Sequence, residues 1–297
     1  MYPIIIIYGP TAVGKSSVAI ELAKMLDGEI ISADSMQIYK GLDIGSAKVS
    51  LDEMQGIPHH LIDILEPNDD YSASNFCDDC INIIDEIISR NKTPIIVGGT
   101  GLYINGLING YNFGQTEKNI QFRASLENQS NEDLYNKILQ LKPDVKIDKN
   151  NRHRLIRALE RMTFGGVNQE NTSKLKYPYI LFAICDDRQK IYNRINDRVD
   201  KMIENGLLDE ARKILNLTLN EESLCMKAIG YKELFPFLKG DDTLENCKNL
   251  LKQKTRNYAK RQFTYMNQFK DLIKVDFCGV EKTAKNMLSI INDYKVK

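Results

Sequence analysis

The chain has 297 residues, 42% hydrophobic and 27% charged, ordinary globular usage that excludes global disorder and suggests two unequal domains. Lys plus Arg and Asp plus Glu stand at 40 each, so net charge does not indicate a polyanion partner, although local blocks are what a nucleic acid would meet. No apolar run approaches the roughly 18 residues that span a bilayer, and only eight residues precede the first glycine loop, so neither a membrane span nor a signal or transit peptide is expected and the protein reads as cytoplasmic.

Ile4 to Tyr8 is a strand-sized apolar run and Lys15 to Leu26 reads as a helix. Between them, Gly9-Pro10-Thr11-Ala12-Val13-Gly14-Lys15-Ser16 satisfies G-x-x-x-x-G-K-[ST] in the strand-to-helix context of a phosphate-binding loop. Gly9 and Gly14 let the backbone curl so that successive N–H groups face an anion. The helix start adds its positive end, and Lys15 supplies a point charge. Ser16 is placed to donate an oxygen to Mg²⁺. Such a loop does not name a reaction, because kinases, GTPases and other diphosphate users share it.

Glu29 to Ala33 reads as a second strand, ending in Ser32-Ala33-Asp34-Ser35. The right-handed crossover rule sets Asp34 at the carboxyl edge of the sheet, near the loop. There it could bind Mg²⁺, take a proton from a nucleophile, or cap a turn, and spacing alone does not separate these. His59-His60 reads as a loop pair serving structural hydrogen bonds rather than acid-base chemistry. Asn75 to Arg90 has helical apolar spacing. It carries Cys77 and Cys80, read as reduced thiols in an ordinary helix and not as half of a zinc site. Pro94 to Val97 is a third strand, ending in Gly98-Gly99-Thr100-Gly101 and not in an acidic pair. Thr100 would face the same crevice or sit in a turn.

From about Gly114 to Lys176 the strand signals stop, and amphipathic stretches at Leu134 to Leu141 and Arg152 to Phe164 take over. Segment 114–176 is therefore expected as a helical insertion between core segments 1–113 and 177–297. Arg154, Arg157 and Arg161 share one face of its second helix, with Leu155, Leu159 and Met162 on the other. Tyr179 to Cys185 reads as a strand again, followed by helices from Gln189 to the end. Between Asn246 and Lys270 stand seven Lys or Arg and no acid. Lys248, Lys252, Arg256 and Lys260 recur every four residues as a positive ridge, and the interleaved Tyr258, Phe263, Tyr265 and Phe269 either stack on bases or pack in the core. Two basic faces, one per domain, fit a polyanion clamped between them. The expected fold class is α/β: a P-loop NTPase-like parallel sheet flanked by helices, with an inserted all-helical domain.

Ordered matches continue along nearly the whole chain: Gly9 to Ser16, Ser32 to Tyr39, Gly41 to Lys48, Ile57 to Asp63, Tyr71-Ser72, Gly98 to Tyr103, Arg157 to Glu160, Ile229 to Tyr231 and Thr255 to Gln262. In these the sequence resembles the bacterial-type tRNA dimethylallyltransferases. The resemblance implies transfer of a dimethylallyl group from dimethylallyl diphosphate to N6 of the adenosine 3′ of certain anticodons. It implies Asp34 as general base, Thr100 orienting the reacting groups, and Lys15, Ser16 with Mg²⁺, and Arg198 neutralising the departing diphosphate. The adenine would be flipped into a channel from the side opposite the diphosphate. Contacts to the tRNA anticodon stem-loop are implied at Asp34, Ser35, Met36, Gln37, Thr100, Arg123, His153, Arg154, Leu155, Ile156, Arg157, Lys227, Gly230, Tyr231 and Lys232, with the protein working as a monomer. Three departures from the family pattern are Thr264 to Asn267, where Tyr265 stands for a Trp, Asp148-Lys149-Asn150-Asn151, and Gly165-Gly166-Val167. The competing readings are a prenyltransferase of free adenine nucleotides, a P-loop kinase or NTPase, and a non-catalytic RNA-binding module.

Overall fold

The first apolar run becomes β1 (Ile4–Tyr8), and every one of its residues is buried. A strand covered on both faces needs continuous apolar residues, which is the mark of a parallel sheet between helices. A computed structural model describes residues 2–110, 119–165, 175–217 and 223–295. Gly166 and Val167 lie outside them. The chain forms two compact units, Met1–Gly110 with Ser173–Lys297, and Tyr111–Thr172.

In the larger unit, β1 is followed by α1 (Lys15–Leu26), β2 (Gly28–Ser32), α2 (Leu51–Met54), β3 (His59–His60), α3 (Ala73–Ser89), β4 (Thr93–Gly98) and α4 (Gly101–Asn109). The smaller unit contributes α5 (Ile120–Ser125), α6 (Asn131–Leu141) and α7 (Arg152–Phe164). The chain then returns through β5 (Tyr179–Cys185), α8 (Arg188–Glu204), α9 (Leu207–Asn216), α10 (Leu224–Lys227), α11 (Phe235–Lys239), α12 (Leu244–Met266), β6 (Leu272–Asp276) and α13 (Val280–Lys295). The sheet has six parallel strands in the order β3-β2-β4-β1-β5-β6. The carboxyl ends of β1, β2 and β4 therefore meet at one edge, where open α/β sheets bind ligands.

Strands β3 and β6 correct the sequence reading. His59-His60 is a two-residue edge strand paired with Ile30 and Ile31, too short to show periodicity. His60 Nε2 lies 2.7 Å from Glu29 Oε2, and Arg90 Nη2 donates to the same oxygen at 2.8 Å. The histidine pair thus ties an edge of the sheet. Leu272–Asp276 pairs with β5 inside a region expected to be all helix. Helix α3 begins at Ala73, earlier than expected, because Ser72 and Asn75 form a capping box. Cys77 and Cys80 are buried on α3, and burial pushes the Cys77 thiol up to about 12. Leu175 N donates to Leu107 O at 2.9 Å, which returns the chain to the larger unit before Lys176.

The main core lies against one face of the sheet, with Ile5, Ile7, Phe182 and Ile184 meeting Val18 and Leu22 of α1 and Met287 of α13. A second cluster gathers Tyr39, Leu42, Val199, Leu207, Tyr231 and Leu251 among α8, α9 and α12. In the smaller unit, Leu126, Leu134, Ile138, Leu155 and Leu159 form a core of their own. Around it Glu160, fully buried, accepts from Arg123 Nη2 and Arg157 Nη1, each at 2.7 Å, and from Asn119 N at 2.8 Å. Burial alone would raise its carboxyl, but the two guanidinium groups and the amide hold it at about 2.

Candidate active site

Strand β1 runs straight into Gly9 to Ser16, and the loop turns into α1 at Lys15. Gly14 has φ +97°, and a Cβ there would lie 2.8 Å from the Phe277 ring, so both backbone and space require glycine. Lys15 Nζ donates to Pro10 O at 2.8 Å. Burial pulls its ammonium down to about 7, with the Asp34 charge opposing the shift and Arg198 reinforcing it. Arg198, on α8, donates from Nη1 to Thr11 Oγ1 at 3.3 Å. One turn earlier, Arg194 donates to Ala12 O at 3.4 Å and pairs with Asp186.

Asp34 stands just past β2. Ala33 N donates to Val97 O at 2.7 Å and Thr100 N donates to Ala33 O at 3.2 Å, so the ends of β2 and β4 are bound together beneath it. Its Oδ1 accepts from Met36 N at 2.9 Å. Burial raises its carboxyl above the usual range, opposed by the Met36 amide, the Lys15 charge and the Gln37 amide. A half-buried carboxylate lifted in this way is a stronger proton acceptor than an ordinary one. Thr100 Oγ1 accepts from Ser35 N at 3.2 Å. Gln37 donates to Ala47 O at 3.3 Å and accepts from Ser32 Oγ at 3.2 Å.

These groups surround a cavity of about 420 Å³ lined by Thr11, Ala12, Gly14, Lys15, Ser16, Asp34 to Gln37 and Arg198. Lys227, Gly230 and Lys232 line it as well, together with Tyr258, Arg261 and Gln262 of α12. A broader cleft adjoins the loop, and Ala12, Gly14, Ser16 and Arg198 line both spaces. The Ser16 hydroxyl is a hard oxygen donor at this shared wall. Mg²⁺ commonly takes one or two protein oxygens and fills the rest from phosphate and water, so these residues fit it.

Other expected contacts fall elsewhere. Thr100 does not line the cavity and reaches it through Ser35. Tyr231 is fully buried, its hydroxyl donating to Glu210 Oε1 at 2.7 Å. The Glu210 carboxylate also accepts from the amides of Asp43, Ile44 and Gly45, so Tyr231 is a support of that loop and not an outward contact. In the smaller unit, Leu155 is fully buried in the core. Arg123 and Arg157 hold Glu160 there, whereas His153 and Arg154 are exposed and Ile156 is half-buried. The ridge on α12 is partly spent on packing: Lys248 and Lys252 pair with Asp200 at 3.7 and 2.7 Å, and Arg256 donates to Asn196 Oδ1 at 2.6 Å. Phe269 is buried and packs edge-on against Tyr8. Tyr265 lies against Gly101, whose Cβ would meet its ring at 2.3 Å, and its hydroxyl accepts from Asn105 Nδ2 at 3.2 Å.

Sequence reasoning missed the structural work of Glu210 and Gln262. Gln262 was visible as the last residue of a matched segment, but nothing in spacing shows that Glu210 caps amides 165 to 167 residues away.

The family model described as IPP transferase matches residues 37–269. The chain is 42% identical over 299 residues to a tRNA dimethylallyltransferase of Acetivibrio thermocellus, covering 96% of both chains. It is 46% identical over 280 residues to that of Streptococcus sanguinis, covering 93% of this chain and 92% of the relative. The crystal structure of the full-length tRNA isopentenylpyrophosphate transferase from Bacillus halodurans aligns over 100% of this chain and 98% of its own, with a TM-score of 0.75 and 36% identity. A eukaryotic dimethylallyltransferase acting on tRNA aligns over 100% of this chain and 80% of its own, with a TM-score of 0.85 and 30% identity.

Proposed function

This chain belongs to the IPP transferase family and moves a dimethylallyl group onto tRNA, and we propose that it does so by direct displacement of diphosphate, with Asp34 as the base. The acceptor is N6 of the adenosine 3′ of the anticodon. As N6 bonds to C1 of the prenyl group, the C1–O bond breaks and its electron pair leaves with the diphosphate. The proton released from N6 passes to the Asp34 carboxylate. The amine is a poor nucleophile and the leaving group a polyanion, so stabilising the departing charge and removing the proton are the two tasks that matter.

The observation that carries this reading is the enclosure of Asp34, Lys15 and Arg198 in one cavity with the phosphate loop. Lys15 and Arg198 meet the diphosphate together with the loop amides, and Ser16 would hold Mg²⁺, which when bound supplies further charge neutralisation. Thr100 acts through Ser35, holding the segment that carries the base. The shared wall of the cavity and the adjoining cleft supports donor and adenine approaching from opposite sides of the loop. Lys227, Lys232 and Arg261 at the cavity suit an RNA backbone. Among the described residues no helix is long and apolar enough to cross a membrane, and a monomer in the cytoplasm is the proposed working form.

The protein is incubated with unmodified tRNA, Mg²⁺ and dimethylallyl diphosphate, with AMP as competitor, and nucleosides are analysed by mass. Prenylated adenosine in tRNA is expected. Unmodified tRNA, or preferential prenylation of AMP, overturns the reading.

A further inference from the structure

Gln262 lies on α12, 4% exposed, with both ends of its amide engaged on different parts of the site. Its Oε1 accepts from Thr11 N at 2.8 Å, inside the phosphate loop, and its Nε2 donates to Gly99 O at 2.9 Å, just past β4. Its own carbonyl accepts from Tyr8 OH at 3.1 Å, at the end of β1. Thr11 is thereby held twice, through its amide by Gln262 and through its hydroxyl by Arg198. The Thr11 amide is turned to the protein and withheld from any anion in the loop.

Gly99 makes this possible, because a Cβ there would stand 2.0 Å from Gln262 Nε2. Only a side chain with a donor and an acceptor at one end satisfies both partners, and a buried group left unpaired here is costly. The same helix contacts the other half of the site. Tyr258, one turn before Gln262, lines the cavity with Asp34 and Ser35, and Thr100 holds Ser35 beside Asp34.

We propose that Gln262 is a positioning residue that fixes the leaving-group cradle against the strand end supporting the base-bearing segment, so that donor and base keep one relative placement. The inference rests on the prenyl-transfer reading above. Small misplacement of reacting groups lowers rate steeply, and the loss should appear in donor binding and turnover and not in tRNA affinity.

Steady-state kinetics on the full chain, with calorimetric binding of inorganic diphosphate and with tRNA binding, test this in Gln262→Ala, Gln262→Glu, Gly99→Ala and the Gln262→Ala/Gly99→Ala double variant. Gln262→Ala should raise the donor KM and weaken diphosphate binding about tenfold or more, with tRNA affinity changed less than about twofold. Gly99→Ala should reproduce that loss, and the double variant should be little worse than either single, since both break one contact. In Gln262→Glu the carboxylate accepts from Thr11 but cannot donate to Gly99 until protonated. Its activity relative to the parent should therefore rise as pH falls from about 8 to about 6.

The last readout stands even if the alanine variant folds poorly. An unchanged donor KM in Gln262→Ala, additive losses in the double variant, or a flat pH ratio in Gln262→Glu overturns the proposal. If the parent itself makes no prenylated adenosine, it is the underlying reading that fails. A parent that prenylates tRNA alongside unaffected variants sinks the positioning role alone.

Discussion

Donor binding should take up a proton at Lys15. In the free site burial pulls its ammonium down to about 7. A diphosphate in the loop places negative charge beside it and returns it to the charged form. The sign follows: the free-state value is depressed, so above it the lysine is neutral and must be recharged when the anion binds. With a free value of about 7, binding should take up about 0.9 proton at about pH 8, half at about pH 7 and a tenth at about pH 6. Affinity should then fall about tenfold, or about 1.4 kcal/mol, for each pH unit above about 7. Isothermal titration of inorganic diphosphate in two buffers of different ionisation enthalpy reads the uptake directly. Lys15→Arg stays charged and subtracts the ligand's own protons. Equal uptake at both pH extremes, or the same uptake in Lys15→Arg, would refute the reasoning.

The remaining predictions concern the supports of the site and the RNA side. Tyr231→Phe removes one of the hydrogen bonds to buried Glu210 and should cost about 1 kcal/mol in thermal melting, with a raised KM for tRNA as the Asp43 to Ala47 segment loosens. Glu160 is depressed to about 2 from an ordinary 4.5. Its contribution to the smaller unit, about 3 kcal/mol, is present above the unfolded value and lost as pH falls through about 2. Hydrogen exchange of residues 119–165 against pH should show that loss, and diphosphate binding should be unaffected in Glu160→Gln. Replacing Lys227 and Lys232 by alanine should lower tRNA affinity and flatten its dependence on the logarithm of salt concentration by about 1 per lysine; an unchanged slope would remove them from the RNA contact.

Much of the fold was legible because its determinants are local. β1, α1 and β5 have the bounds expected from the sequence, since an apolar run ending at a glycine loop or at polar residues leaves little choice of boundary. Asp34 was placed at the right sheet edge by chain-crossover handedness alone. What sequence did not reveal depends on partners distant in the chain. Lys248, Lys252 and Arg256 of α12 share the spacing of an RNA ridge, but Asp200 and Asn196 of α8 engage them. Leu155 and Tyr231 sit in segments matched to tRNA contacts, but helix phase in one and a carboxylate across the fold in the other turn them inward. β3 was too short to leave a pattern, whereas Leu272–Asp276 alternates in burial only weakly and was absorbed into a helical run.

Asp34 is the point at which the account can be tested most directly. Single-turnover prenylation of tRNA with saturating dimethylallyl diphosphate should fall by about a hundredfold or more in Asp34→Ala, while the variant binds tRNA and inorganic diphosphate as the parent does. Parental turnover in Asp34→Ala would contradict a proton transfer to this carboxylate, and with it the division of labour between base and leaving-group cradle.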